Sequence, residues 1–126
     1  MNEIAPIFHM CRADEWTTAM DVGQYNGSSQ DIADGLIHFS DATQIVKSAA
    51  KHRAGQNDLV LLWVDPTLLK GCQLRWEPSR DALLFPHVYG PLNTDAVIRI
   101  DPLVLDDSGV HVFPNEIPDN RKAGVE

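Results

Sequence analysis

The side chains best suited to chemistry in this chain are His38, Ser40, Arg75, Glu77, His87 and Tyr89. Along Gly35-Leu36-Ile37-His38-Phe39-Ser40-Asp41, strand alternation sends Ile37 and Phe39 to one face and His38 and Ser40 to the other. An imidazole buried without a partner costs roughly a few kcal/mol. The His38 face must therefore be hydrogen-bonded or wet, and a wet face on an interior strand is a cleft. Ser40 carries two readings, as N-cap of the helix that follows or as a contact for an anionic group at that helix start.

In Leu74-Arg75-Trp76-Glu77-Pro78, Arg75 and Glu77 share one face of a short strand. They form a surface ion pair, or Arg75 holds an anionic ligand while Glu77 acts as electrostatic stabiliser or general base. Phe85-Pro86-His87-Val88-Tyr89-Gly90-Pro91 brackets a histidine and a tyrosine with two prolines and a glycine. Such a stiff loop either shapes a pocket at low entropic cost or packs as an Ω-like cover over the core. His9, His52 and His111 fall on different elements with no carboxylate at ligand spacing, so no metal centre is expected. Nucleophile-elbow, phosphate-loop and dinucleotide glycine motifs are absent.

These residues need positioning elements. Ile7 to Cys11 reads as a strand, and Arg12 to Val22 as a helix with Trp16, Ala19 and Met20 on one face and Gly23 as its stop. Ser28 or Ser29 caps a single helical turn over Gln30 to Asp34, closed by Gly35. Asp41 to Arg53 is the clearest helix, with Ala42, Ile45, Val46, Ala49 and Ala50 as its apolar stripe. Leu59 to Val64 is apolar throughout between two acids, as a strand buried on both faces should be. Pro66 to Gly71 resembles a short helical turn, Leu74 to Glu77 and Ala96 to Asp101 read as strands, and Ser79 to Asn93 as the least regular part. A closing hairpin is expected across Asp106-Asp107-Ser108-Gly109, and from Pro114 onward a polar, disordered tail. The expected fold is a single α+β domain over residues 1–113, with two main helices and about six short strands.

The 126 residues suffice for one domain with a sizeable core. A formal charge of −8 without any Lys/Arg cluster argues against nucleic acid as a partner, and leaves room for a small anionic ligand held by a few local groups. No apolar run approaches the ~20 residues of a membrane span. The first residues lack the basic region and apolar stretch of a secretory signal, so a cytoplasmic location with reduced Cys11 and Cys72 is expected. Oligomeric state is left open by the sequence.

Five segments occur in order: Ile7-Phe8-His9, Glu15-Trp16, Asp34 to Ser40, Leu74 to Glu77 and Phe85 to Leu92. Together they resemble the small bacterial family known as domain of unknown function 952, over roughly Ile7 to Leu103. The resemblance implies a fold grouped with the ADP-ribosyltransferases: small mixed β-sheets around a cleft that takes NAD and breaks its nicotinamide–ribose bond. It further implies His38 as the group that orients the ribose, Ser40 beside it, Arg75 on the pyrophosphate and Tyr89 stacked on nicotinamide. Glu77, with His87, would be catalytic and stabilise developing positive charge. Arg75 stands two residues before Glu77, where that group carries Glu or Gln. Two further readings are a non-catalytic module for a small ligand or a protein, and a small hydrolase using His38, His87 and Glu77 as acid–base groups.

Overall fold

The computed structural model describes residues 5–79 and 82–118. Strand β1 (Ile7–Arg12) and strand β4 (Leu59–Val64) pair antiparallel, and β4 also pairs with β8 (Val97–Leu103), giving a first sheet of order β1-β4-β8. The unbroken apolar run of β4 follows from this central place. Leu59 and Leu61 face a cluster with Phe8, Met10, Ile45, Val46, Ala49 and Leu103, whereas Leu62 and Val64 face a second cluster with Ile7, Trp16, Ile37, Phe39 and Val88. Each face of the strand thus meets its own core.

Helix α1 (Ala13–Val22) presses Trp16 and Ala19 into the second cluster and ends where Gly23, at φ 94°, donates its amide to the Ala19 carbonyl. Met20, expected on that buried face, is 55% exposed. Helix α3 (Ile45–His52) covers the first cluster. Its start lies later than Asp41, because Asp41 is held in a local turn: its carboxylate accepts from the Thr43 amide and its own amide donates to Gln44 Oε1.

A small sheet joins β2 (Gln24–Tyr25) to β7 (Leu92–Asn93), and a third has the order β3-β6-β5, from β3 (Ile37–His38), β6 (Leu84–Tyr89) and β5 (Gln73–Pro78). All the strand pairs are antiparallel. β6 corrects the expectation of an irregular loop: a strand persists through Pro86 and is central in its sheet. The proline is tolerated because its neighbour leaves there. Phe39 donates its amide to the Pro86 carbonyl, and at Ser40 the chain has already crossed to the first sheet, bridging to Phe8. The amide that Pro86 lacks would face this same side, where β3 ends, so the proline forgoes a single ladder bond at the end of the pairing.

The expected closing hairpin is present and short: Leu105 bridges His111, and the Asp106 and Val112 amides donate to the Val110 and Val104 carbonyls at 2.8 and 2.9 Å. Beyond Phe113, where a tail was expected to begin, Ile117 is buried in the first cluster, and residues 119–126 lie outside the described residues. Among the described residues the result is a small α+β domain of three sheets and three α-helices, the short α2 (Ser29–Asp34) included. Among the described residues no helix is long and apolar enough to cross a membrane.

Candidate functional site

The register of the third sheet sets the site. His38 on β3 lies opposite His87 on β6, and His87 lies opposite Arg75 on β5. Side chains directly opposite one another across antiparallel strands share a face. Alternation adds Glu77 and Tyr89 to that face, while Ile37, Leu74 and Val88 turn inward to the core. Five residues singled out from the sequence, His38, Arg75, Glu77, His87 and Tyr89, therefore converge on one polar sheet surface.

Ser40 does not join them. It is 5% exposed and its hydroxyl meets Ser48 Oγ at 2.9 Å, under α3. Its expected role as cap falls to Gln44, the residue preceding α3, and the crossing to the first sheet breaks the alternation that paired it with His38.

Glu77 is the hub on the β5 side. Its Oε1 accepts from Tyr89 Oη and from His87 Nδ1, each at 2.7 Å. These two hydrogen bonds, Tyr89 first, hold the carboxyl below its ordinary pKa, so it is an anion at neutral pH. The same contact raises Tyr89. An ionised carboxylate only accepts, so neutral His87 carries its proton on Nδ1 and leaves Nε2 as an acceptor. Arg75 is exposed, lies 5.1 Å from the centre of the Tyr89 ring and donates to Gln73 Oε1 at 3.2 Å. The guanidinium thus sits over the Tyr89 ring.

On the β3 side, His38 Nδ1 lies 2.6 Å from Asp31 Oδ1, and His38 Nε2 lies 3.3 Å from Asp34 Oδ2. The rings of His38 and His87 meet edge to face with centroids 5.4 Å apart. The hydrogen bond to Asp31, aided by the charges of Asp31 and Asp34, raises the pKa of His38 against the opposing effect of burial. For Asp31, burial opposes ionisation. The bond from the His38 ring and those from the Ser28 and His38 amides outweigh it and hold the carboxyl well below the usual range.

Asp31 and its partners were missed in the sequence. Asp31 read only as part of a helical turn, and His9 as a histidine without a carboxylate. In the fold His9 Nε2 comes to 3.7 Å from Asp31 Oδ2 while accepting from Tyr25 Oη at 2.8 Å. One signal was present: Ser28 and Asp31 have capping-box spacing, and each satisfies the other's backbone amide. That box, closed by Gly35, turns the chain back so that residue 38 returns over residue 31. Gly27 makes room for it. Its φ is +98°, and a Cβ there would lie 2.6 Å from the Asp31 Cβ. Gly27→Ala is expected to cost about 1–3 kcal/mol through backbone strain, read as a fall in Tm.

The His38–Asp31 pair also fixes a pH dependence. A raised histidine contributes stability in full below its unfolded pKa of about 6.5, and loses it as pH rises through the folded value. Asp31, lowered, contributes above about pH 4 and loses it as pH falls. The stability difference between wild type and His38→Ala should thus be largest at about pH 5 and shrink toward about pH 9, as urea titrations at both values would read. A difference that grew with pH would refute the pairing.

Among the described residues no group of three or more His, Cys, Asp or Glu side chains is placed to hold a metal ion. Residues 10–100 match the family model described as a protein of unknown function, DUF952. The crystal structure of protein CC0527 from Caulobacter crescentus is 39% identical, with 89% of this chain and 97% of that chain covered and a TM-score of 0.82. A double mutant of the same protein gives the same values. The solution NMR structure of CC0527 is 37% identical over 96% of this chain and 98% of that one, with a TM-score of 0.73. No curated protein matches. With the family model covering most of the folded chain, the protein belongs to the DUF952 family.

Proposed function

We propose that the polar face of the third sheet binds a nucleotide of the ADP-ribose class, NAD foremost, in an ADP-ribosyltransferase-like manner, and breaks the bond between ribose and nicotinamide. The observation that carries this reading is the Glu77 carboxylate. It is ionised, held in place by His87 and Tyr89, and flanked by the exposed cation of Arg75 on an open sheet face. Cleavage of an N-glycosidic bond develops positive charge on the sugar, and a fixed carboxylate is the group that stabilises it.

In this reading the C–N bond breaks and its electron pair leaves with neutral nicotinamide. A water oxygen bonds to the same carbon, and its proton passes to His87 Nε2, the ring atom left open by the bond to Glu77. Arg75 offsets the pyrophosphate charge, His38 Nε2 meets a ribose hydroxyl, and the Tyr89 ring stacks on nicotinamide. Two calorimetric titrations test binding, NAD and ADP-ribose into wild type and His38→Ala. Wild type should bind both, and His38→Ala about tenfold or more weakly, as for a lost hydrogen bond to a charged group. No binding at millimolar ligand would end the nucleotide reading and turn attention to a protein partner for a non-catalytic module.

A second reading rests on a different observation, the two imidazoles 5.4 Å apart, each backed by a carboxylate. One serving as base and the other as acid would hydrolyse an ester or phosphoester. A bell-shaped rate profile with such a substrate, in the absence of nicotinamide release, would favour it.

A further inference from the structure

Buried groups behind the sheet face grip His38 at three points. Its backbone amide donates to Asp31 Oδ1 at 3.1 Å, its Nδ1 lies 2.6 Å from the same oxygen, and its carbonyl accepts from His9 Nδ1 at 2.6 Å. Asp31 is 3% and His9 4% exposed, so the partners that hold His38 are themselves shielded from water. The remaining oxygen of Asp31 is occupied by the amide and hydroxyl of Ser28, at 2.8 and 3.0 Å. The orientation of His9 is fixed in turn. The His38 carbonyl can only accept, so His9 carries a proton on Nδ1, and in the neutral ring Nε2 is left to accept from the Tyr25 hydroxyl. Burial, the largest influence on His9, lowers its pKa and keeps it in this neutral form.

We propose that Asp31 is the positioning residue of His38: it holds a proton on Nδ1 and so dedicates Nε2 to the ligand, while the Tyr25–His9 pair braces the strand behind. A second carboxylate stands at the other nitrogen. Asp34 Oδ2 is 3.3 Å from Nε2, and its side chain is 40% exposed, so a ligand oxygen arriving at Nε2 displaces a surface contact rather than a buried one. The groups facing the His38 ring are thus Asp31 and Asp34 from α2, His87 from β6, and His9 from β1 behind the strand. Only Asp31 is both buried and bonded to the ring. The inference rests on the proposed function in one respect, that Nε2 is the atom that meets the ligand.

The test is long-range proton–nitrogen NMR of the imidazoles in 15N-labelled protein. In the neutral form of wild type, His38 should be the Nδ1–H tautomer, with a slowly exchanging Nδ1 proton. Asp34→Ala should keep that tautomer. Asp31→Asn should lose it, with a lowered His38 titration midpoint. An Nε2–H tautomer in wild type, or rapid averaging of both, would overturn the inference without any variant, so misfolding of Asp31→Asn cannot shelter it. Addition of ADP-ribose should shift the Nε2 resonance and leave the Nδ1 proton in place. An intact Nδ1 tautomer with no shift on adding ADP-ribose would sink the nucleotide reading and uphold the role of Asp31.

Discussion

Glu77→Gln is expected to suppress release of nicotinamide from NAD by about 100-fold or more, the scale of losing one preorganised electrostatic stabiliser, while ADP-ribose binds within a few-fold of wild type. The substitution is close to isosteric. The amide oxygen still accepts from Tyr89 Oη or His87 Nδ1, so the two β6 side chains keep an anchor. What disappears is the negative charge, which the bonds from Tyr89 and His87 keep in place at neutral pH. Ground-state binding draws mainly on Arg75 and His38, whereas the charge matters when the sugar becomes cationic, so the loss should fall on turnover. Following free nicotinamide alongside calorimetry separates the two. Turnover unchanged in the variant would remove Glu77 from the chemistry, and equal loss of binding and turnover would make it a structural anchor.

Asp31→Ala should be the most destabilising of the polar substitutions, by about 3 kcal/mol or more. The helix cap accounts for about 1 kcal/mol. The rest arises because the Ser28 amide, the His38 amide and the His38 ring lose their common acceptor at a nearly buried position, and each stranded donor costs about 1–3 kcal/mol. Water reaching the half-exposed His38 ring relieves that part of the cost, which keeps the total near the lower sum. Urea unfolding at neutral pH, with an unchanged slope, reads the difference. A loss below about 1 kcal/mol would reduce Asp31 to an ordinary cap.

Elements whose evidence is local were legible in the sequence. β4 announced its two buried faces by an unbroken apolar run, and the stripe of α3 and the glycine stop of α1 were equally direct. β6 was not legible, because Pro86 reads as a breaker unless one knows that its neighbouring strand departs at that residue. Ser40 failed for the same cause: alternation assumes that a strand stays in one sheet. His38, Arg75, Glu77, His87 and Tyr89 could be picked by residue type, yet their register across β3, β6 and β5 is a long-range fact. Asp31 and His9 were invisible as a pair, since 22 positions separate them and only the folded turn at Gly27 and Gly35 closes the gap.

The crossing between sheets gives adjacent amides different masters. Phe39 is bonded to Pro86 in the sheet that carries the polar face, while Ser40 exchanges bonds of 2.7 and 2.8 Å with Phe8 in the main sheet. Their hydrogen-exchange rates therefore time the opening of two cooperative units from neighbouring positions. Equal rates would mean that the site and the core breathe as one, and a faster Phe39 would mean that the site sheet peels away while its anchor holds.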